Sequence, residues 1–426
     1  MIKRPLAEAV LRRALFTGGD FAELFLEDTL NNSVVMQGGK VETVNSGRIH
    51  GAGVRVYNGH NSIYVYTNDT SEAGLLACAE QAASALRGSS EQDVTLCGSI
   101  VSNIHPIGRL PGDVPSAWRV EKLRAAHAAM KAYSPEIVQT MLSYSDTDQR
   151  VAIANSEGLF VGDRRIYTRM RMSAVASDGK ENQTGTRTPG SLMGAEFIDC
   201  LDIEAMAKDA ARAAVTMLHA SVCPAGVMPV IIDNGFGGVI FHEACGHSLE
   251  ATSVARGISE FCGKLGQKVA DERVTAIDDG TIPNAWGSTN IDDEGLPTTK
   301  LVLIENGILK NYMIDRLNGR RMGMPPTGSG RRQSYAFAPT SRMRNTYIAA
   351  GTDDEAEIFA SMGDGLYAKQ MGGGSVNPAT GEFNFAVSEG YLVKGGKIDR
   401  PVRGASLIGR GSEVLLKIDR VGKDMT

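Results

Sequence analysis

The chain has 426 residues, a formal net charge of −5, 49 glycines, seven histidines and six cysteines. That length holds two or three domains with substantial cores, and the acidic balance argues against a general nucleic-acid or anionic-membrane surface. No apolar run approaches the ~18 residues that span a bilayer, and six scattered cysteines with no C-x-x-C pair point to a reducing cytoplasm.

In chain order, Lys3 and Arg4 precede Pro5-Leu6-Ala7-Glu8, the start of an amphipathic helix over residues 6 to 17 rather than a signal peptide. Alternation then predicts strands at 22–27, 33–36 and 41–44, the last two joined by a Gly38-Gly39 turn. Two more, at 53–57 and 62–66, flank Asn58-Gly59, and an Ala-rich helix from Ser71 to Leu86 follows, capped by Thr70 or Ser71. Pro106 to Pro115 reads as a linker. Beyond it, Arg150-Val151-Ala152-Ile153-Ala154-Asn155-Ser156-Glu157-Gly158 resembles Lys40-Val41-Glu42-Thr43-Val44-Asn45-Ser46-Gly47, and a second Ala-rich helix runs from about 203 to 219. This suggests an internal duplication of residues about 1–110 in 117–221; the alternative is two unrelated hairpins. The polar, Gly-rich stretch 178–190 reads as a mobile loop.

From about residue 222 the texture becomes short strands and Gly turns. Val227 to Ile232 reads as a buried strand, 233–235 as a turn, 301–309 as an Asn-Gly hairpin, 382–387 and 390–398 as further strands, and 413–419 as a final strand. The fold class expected is α+β: a duplicated N-terminal sheet-and-helix region, 1–221, then a β-rich C-terminal domain, 222–426, that carries a metal-motif helix.

That motif is Val239-Ile240-Phe241-His242-Glu243-Ala244-Cys245-Gly246-His247. Two imidazoles with a carboxylate directly after the first are the minimal kit of a zinc hydrolase: two neutral ligands, and a base beside the water that the metal activates. In H-E-x-x-H both histidines share one helix face. The extra residue here sets the rings about 140° apart on a regular helix, at ~100° per residue. Both reach one metal only if the helix is kinked or carries a π-bulge, and Gly246 sits where such a distortion is cheapest. The competing reading makes His242 and His247 ordinary polar positions of a Gly-rich helix. Buried His and Glu without a task are costly, which favours the metal. Cys245 is expected to pack rather than coordinate.

With these pieces in place the chain resembles the TldD/PmbA family of metallopeptidases, also named modulators of DNA gyrase. The resemblance spans nearly the whole chain and is carried by His242-Glu243-Ala244-Cys245-Gly246-His247-Ser248-Leu249-Glu250 and Asn290-Ile291-Asp292-Asp293-Glu294-Gly295. Pro326-Thr327-Gly328-Ser329-Gly330-Arg331-Arg332-Gln333-Ser334-Tyr335 and Met343-Arg344-Asn345-Thr346-Tyr347 extend it. Both histidines and the Glu make it look like the TldD-type, catalytic subunit. The resemblance implies zinc on His242 and His247, Glu243 polarising the attacking water, and an unfolded or flexible peptide held extended in a cleft. It also implies a dimer, either of this chain or with a PmbA/TldE-type subunit. Family members take a third zinc ligand, a cysteine, from beyond the last strand; this sequence reaches Thr426 with no cysteine after Cys262. A catalytic zinc has three protein ligands and one water. Glu250 is therefore a candidate third ligand or an outer-sphere partner, with Cys262 a weaker candidate. The alternative function is a catalytically silent peptide-binding or partner subunit of the same fold. Arg331 and Tyr335, in a Gly-rich loop, are candidates for contacting the substrate or its oxyanion; alternatively Arg331 and Arg332 pair with Asp292, Asp293 or Glu294 and fix the loop. A gyrase-linked role has no support from the charge.

Overall fold

The computed structural model describes residues 2–89, 92–99, 101–377 and 379–425. Its N-terminal region runs α1 (Arg4–Leu15), β1 (Phe21–Gln37), β2 (Lys40–Asn58), β3 (Asn61–Thr67), α2 (Glu72–Ser84) and a short β4 (Cys97–Gly98). There follow α3 (Ser116–Tyr133), β5 (Ile137–Asn155), β6 (Leu159–Ser177), β7 (Asn182–Arg187), β8 (Gly190–Ser191), α4 (Glu196–Asp199) and α5 (Ile203–Leu218). The first unit thus runs helix, three strands, helix; in the second, β8 and α4 stand between the third strand and the closing helix α5.

The strands expected at 22–27 and 33–36 are one strand, β1, and those at 41–44 and 53–57 are likewise β2. Polar Asp28 to Asn32 do not end β1 because their backbones pair on both sides, with His50 to Ser46 and with Arg150 to Asp146. Gly38 (φ 55°) and Gly39 (φ 81°) make the β1–β2 turn, whose left-handed backbone suits glycine. The antiparallel β1–β5 pair joins the two hairpins into one sheet, ordered β3-β2-β1-β5-β6-β4 among the described residues.

Alternation gives this sheet two different faces. On one, Ala22, Leu24, Ala52, Val54 and Val56 pack with α1 and α2. Further along, Val34, Met36, Leu142, Met170 and Met172 pack with α3 and α5. The intervening Glu23, Phe25 and Glu27 look the other way, toward the C-terminal half. Helix α3 was not anticipated, although Leu123, Ala126 and Met130 hold helical spacing on its buried side. The expected mobile loop at 178–190 contains β7, paired with β6 from Met172 to Ser177. Gly185 within it answers to close packing instead: a Cβ there would overlap the Ala210 carbonyl of α5.

The C-terminal half contains β9 (Ser221–Val222), β10 (Val230–Ile232), α6 (Val239–Phe241), α7 (Ala251–Val254), β11 (Ala276–Asp279), β12 (Lys300–Glu305) and β13 (Ile308–Leu309). It continues with α8 (Arg316–Met322), β14 (Gly330–Arg331), β15 (Thr340–Ser341), β16 (Asn345–Ile348) and α9 (Glu355–Met362). Last come β17 (Gly365–Val376), β18 (Glu382–Lys394), β19 (Lys397–Arg403), β20 (Ser406–Arg410) and α10 (Gly411–Leu415). Among the described residues, one sheet runs β10-β17-β18-β19-β9 with β20 beside β18, a second β13-β12-β11-β16, and β14 pairs β15. The segment holding His242 and His247 packs among them: Ile240, Phe241, Ala244, Cys245 and Leu249 belong to the core they share.

The Asn306-Gly307 hairpin forms as expected, with φ of 46° and 80°. Three expectations fail. Residues 382–387 and 390–398 are not two strands: 382–394 is the single strand β18, and Gly395-Gly396 (φ 55° and 75°) turn the chain into β19. Residues 413–419 are not a strand: α10 begins at Gly411, whose bare Cα lies against the Ala244 carbonyl of the motif segment, and the strand precedes it at 406–410. The strand expected to be buried at 227–232 is only β10, at the edge of its sheet, with Val230 38% and Ile232 37% exposed. The α+β class itself holds. No helix among the described residues is long and apolar enough to cross a membrane.

Candidate metal centre

The helix that opens with Gly235–Gly238 changes pitch at the motif. Val239–Phe241 are α-helical, His242–Gly246 form a π-turn, and His247–Leu249 tighten to a 3-10 turn. The His247 N–H donates to the His242 carbonyl, five residues back. That wider turn cancels most of the 140° offset, so the two rings share one side. Their centroids lie 5.1 Å apart with planes at 85°. Gly246 permits it, because a Cβ there would overlap the sulfur of buried Met343.

One ligand-type atom each from His242, Glu243 and His247 lies within 4.8 Å of the others. Behind the rings, Nδ1 of His242 meets Thr346 Oγ1 at 2.9 Å, and Nδ1 of His247 meets Glu250 Oε1 at 3.2 Å. Glu250 is buried, and its other oxygen accepts from Arg342 at 2.9 Å. With both Nδ1 atoms engaged, both Nε2 atoms are left for a ligand, and a carboxylate on Nδ1 raises the basicity of the opposite nitrogen. Glu243 Oε2 stands 3.5 Å from His247 Nε2. Burial first, then His247, Arg331 and Arg342, pull the His242 pKa down to about 4, so the ring is neutral near pH 7. Two imidazoles whose Nδ1 atoms are tied back, beside a partly exposed carboxylate, fit a zinc ion.

Glu250 stands behind His247 rather than among the converging atoms. Cys262 bonds its thiol to the Val254 carbonyl at 3.5 Å, and Cys245 packs in the core as expected. Tyr335 sits on the N-terminal sheet: its N–H donates to Glu27 Oε2 at 2.7 Å, its carbonyl accepts from the Tyr64 hydroxyl at 2.6 Å, and its ring packs edge-on to Tyr66. Arg332 is drawn inward to Glu23 and to the Asp293 carbonyl. Loop fixing therefore falls to Arg332, while Arg331 pairs with no acid among the described residues and stays exposed. Sequence reasoning missed Thr346 and Arg342; Thr346 lay within a quoted motif, but nothing in the sequence pairs it with a ring 104 residues away.

The comparisons agree along the whole chain. The three models of the PmbA/TldA metallopeptidase match in order: domain 1 at residues 22–86, the central domain at 109–218 and the C-terminal domain at 225–426. A metalloprotease TldD homolog of Haemophilus influenzae is 36% identical over 94% of this chain and 85% of its own length. A metalloprotease of Methanothermobacter thermautotrophicus is 33% identical over 95% and 88%. Among solved structures, a Thermotoga maritima protein titled a modulator of DNA gyrase superposes with a TM-score of 0.81 at 22% identity, over 95% of this chain and 91% of that one. TldE of Thermococcus kodakarensis superposes with 0.79 at 20%, over 98% and 94%. At that identity the two structures speak for the fold alone, whereas the sequence relatives carry the assignment: the chain belongs to the TldD/PmbA family of metallopeptidases.

Proposed function

We propose that this chain is a zinc peptidase that hydrolyses unfolded or flexible peptides, with His242 and His247 as ligands and Glu243 as the proton-transfer group. The observation that carries the reading is the π-turn, which costs regular helix hydrogen bonding and returns a convergent His-Glu-His set. When bound, zinc supplies Lewis-acid polarisation of the scissile carbonyl and of the water. Glu243 takes a proton from the attacking water and delivers it to the departing amine. Glu250 holds the His247 ring in register and Thr346 does the same for His242.

An extended substrate is supported by two open strand edges. β10 pairs only with β17, and β16 only with β11, among the described residues. Both border a cavity of about 1110 Å³ lined by Ile232, Ala244, Tyr347, Ile348 and Leu407, which lies against the Ala244 side of the motif and not against His242, Glu243 or His247, and β16 carries Thr346 from it to the motif. An extended chain can pair with such edges through its backbone, which makes recognition tolerant of sequence.

The silent-subunit alternative draws on the donor count, since two imidazoles and Glu243 are the groups that converge among the described residues. Metal content after purification without chelators or a histidine tag decides between them. About one zinc per chain is expected, with loss in His242→Ala and His247→Ala and affinity reduced roughly 10- to 100-fold in Glu250→Ala. A metal-free protein from zinc-supplemented cells overturns the peptidase reading.

The partner is a related subunit, either a second copy or a PmbA/TldE-type chain. Among the described residues, strand β2 is paired on its outer side only from Ala52 to Asn58, so residues 40–51 offer an open edge with Val41, Val44 and Ile49 exposed. Light scattering should give twice the chain mass, alone or with a TldE-type protein; a monomer under both conditions removes the dimer. The six free cysteines suit the cytoplasm.

A further inference from the structure

Arg331 is the cation beside the motif that the reading above leaves without a task. Two aspartates grip the backbone on both sides of it: Asp292 accepts from the Gly330 N–H at 3.0 Å and Asp293 from the Arg332 N–H at 2.7 Å. Arg332 turns in toward Glu23, so alternation along the strand sends Arg331 out from the other face. Its cross-strand partner there is Thr340, whose hydroxyl lies 2.5 Å from that of Thr252, in α7 just after the motif. Arg342, two residues along and so on the same face, holds Glu250, which holds His247. The face that carries Arg331 is therefore the one turned to the metal centre.

The electrostatics agree with this placement. Loss of solvent around the guanidinium, then Arg344 and Arg342, hold the Arg331 pKa below the usual arginine range. A guanidinium beside two others and a site for a dication is repelled by each of them. Asp293 and Glu250 offset this only in part, and no acid among the described residues forms an ion pair with it. An arriving anion would, and a guanidinium fork matches a carboxylate.

We propose that Arg331 is the anchor for a carboxylate of the peptide substrate, held next to the bond to be cut. The chemistry has two sources, the α-carboxylate of the last residue or an acidic side chain. The first would make the enzyme cut near a free C-terminus; the second would make it select acidic sequences. The proposal rests on the peptidase reading but is tested without turnover.

The test uses a fluorescently labelled, unstructured ten-residue peptide carrying one internal Glu, as free acid or amide, and each again with that Glu changed to Gln. Anisotropy is measured on Glu243→Gln and on the same protein with Arg331→Ala or Arg331→Lys, with thermal melts as the folding control. If the α-carboxylate is the ligand, amidation weakens binding roughly 10- to 100-fold, the worth of a charged hydrogen-bonded contact. If the side chain is the ligand, the Glu-to-Gln change does so instead. Either difference should vanish in Arg331→Ala and partly return in Arg331→Lys. Equal binding of all four peptides, or a preference that survives Arg331→Ala, overturns the proposal. Failure of the peptidase reading shows separately, as absent zinc and absent cleavage.

Discussion

Changing Glu243 to Gln is expected to lower kcat by about 10²- to 10⁴-fold, the usual worth of a positioned acid–base group. The replacement keeps shape and hydrogen bonding but removes the proton acceptor 3.5 Å from His247 Nε2. Both imidazoles and their Thr346 and Glu250 partners are untouched, so zinc content and peptide affinity should stay close to the parent's. Glu243 is partly exposed and buttresses no core, so the melting temperature should not move appreciably. Glu243→Asp pulls the carboxylate back by one methylene and should fall between the two. Steady-state kinetics beside metal analysis separate these effects. A zinc-loaded Gln variant that keeps more than a tenth of the parent's kcat would mean that the proton goes elsewhere.

Replacing Arg55 by Met should cost about 3–5 kcal/mol of stability, because it leaves buried carboxylates without their counter-charge. Arg55 is 1% exposed and bridges Glu23 at 2.8 Å to Glu294 at 2.6 Å. One guanidinium thereby ties β2 of the N-terminal sheet to the loop that positions β14. Burial alone would raise the pKa of Glu23, but Arg55 and Arg332 together lower it. Glu294 is pushed up to about 7 by burial, with Arg55 opposing and Asp292 and Glu23 adding to the rise. Without Arg55 both carboxylates shift upward. A group whose folded pKa is raised loses stability as pH climbs from its unfolded value through the folded one. The deficit of Arg55→Met should therefore be smallest below pH 4.5, the ordinary value of a glutamate, and largest above pH 7. Adding Glu294→Gln should recover part of it, since removing both members of a buried pair is milder than removing one. Urea melts across pH test this, and a deficit under 1 kcal/mol at pH 8 would refute it.

Arg55 also shows where reading the chain alone stops. Its side chain reads as an ordinary polar position of an alternating strand, and Glu294 lies 239 residues away. Only the docking of the C-terminal half onto the sheet turns two unremarkable charges into a buried pair. Tyr335 follows the same logic: its Gly-rich loop suggests a substrate contact from sequence, but Glu27 and Tyr66 anchor it to the sheet. Long strands were underestimated for a related reason. Polar Asp28 to Asn32 look like a break until strands on both sides satisfy their backbones.

The sequence by itself determined the α+β class, the Asn306-Gly307 turn, and the need for a helix defect between His242 and His247, because local geometry and side-chain period are properties of neighbouring residues. The tertiary structure decided what faces what: which ring nitrogen Thr346 and Glu250 hold, which arginine is spent on the loop, and which is left free beside the motif. Those are contacts between segments far apart in the chain, and their energies depend on burial that no local pattern encodes.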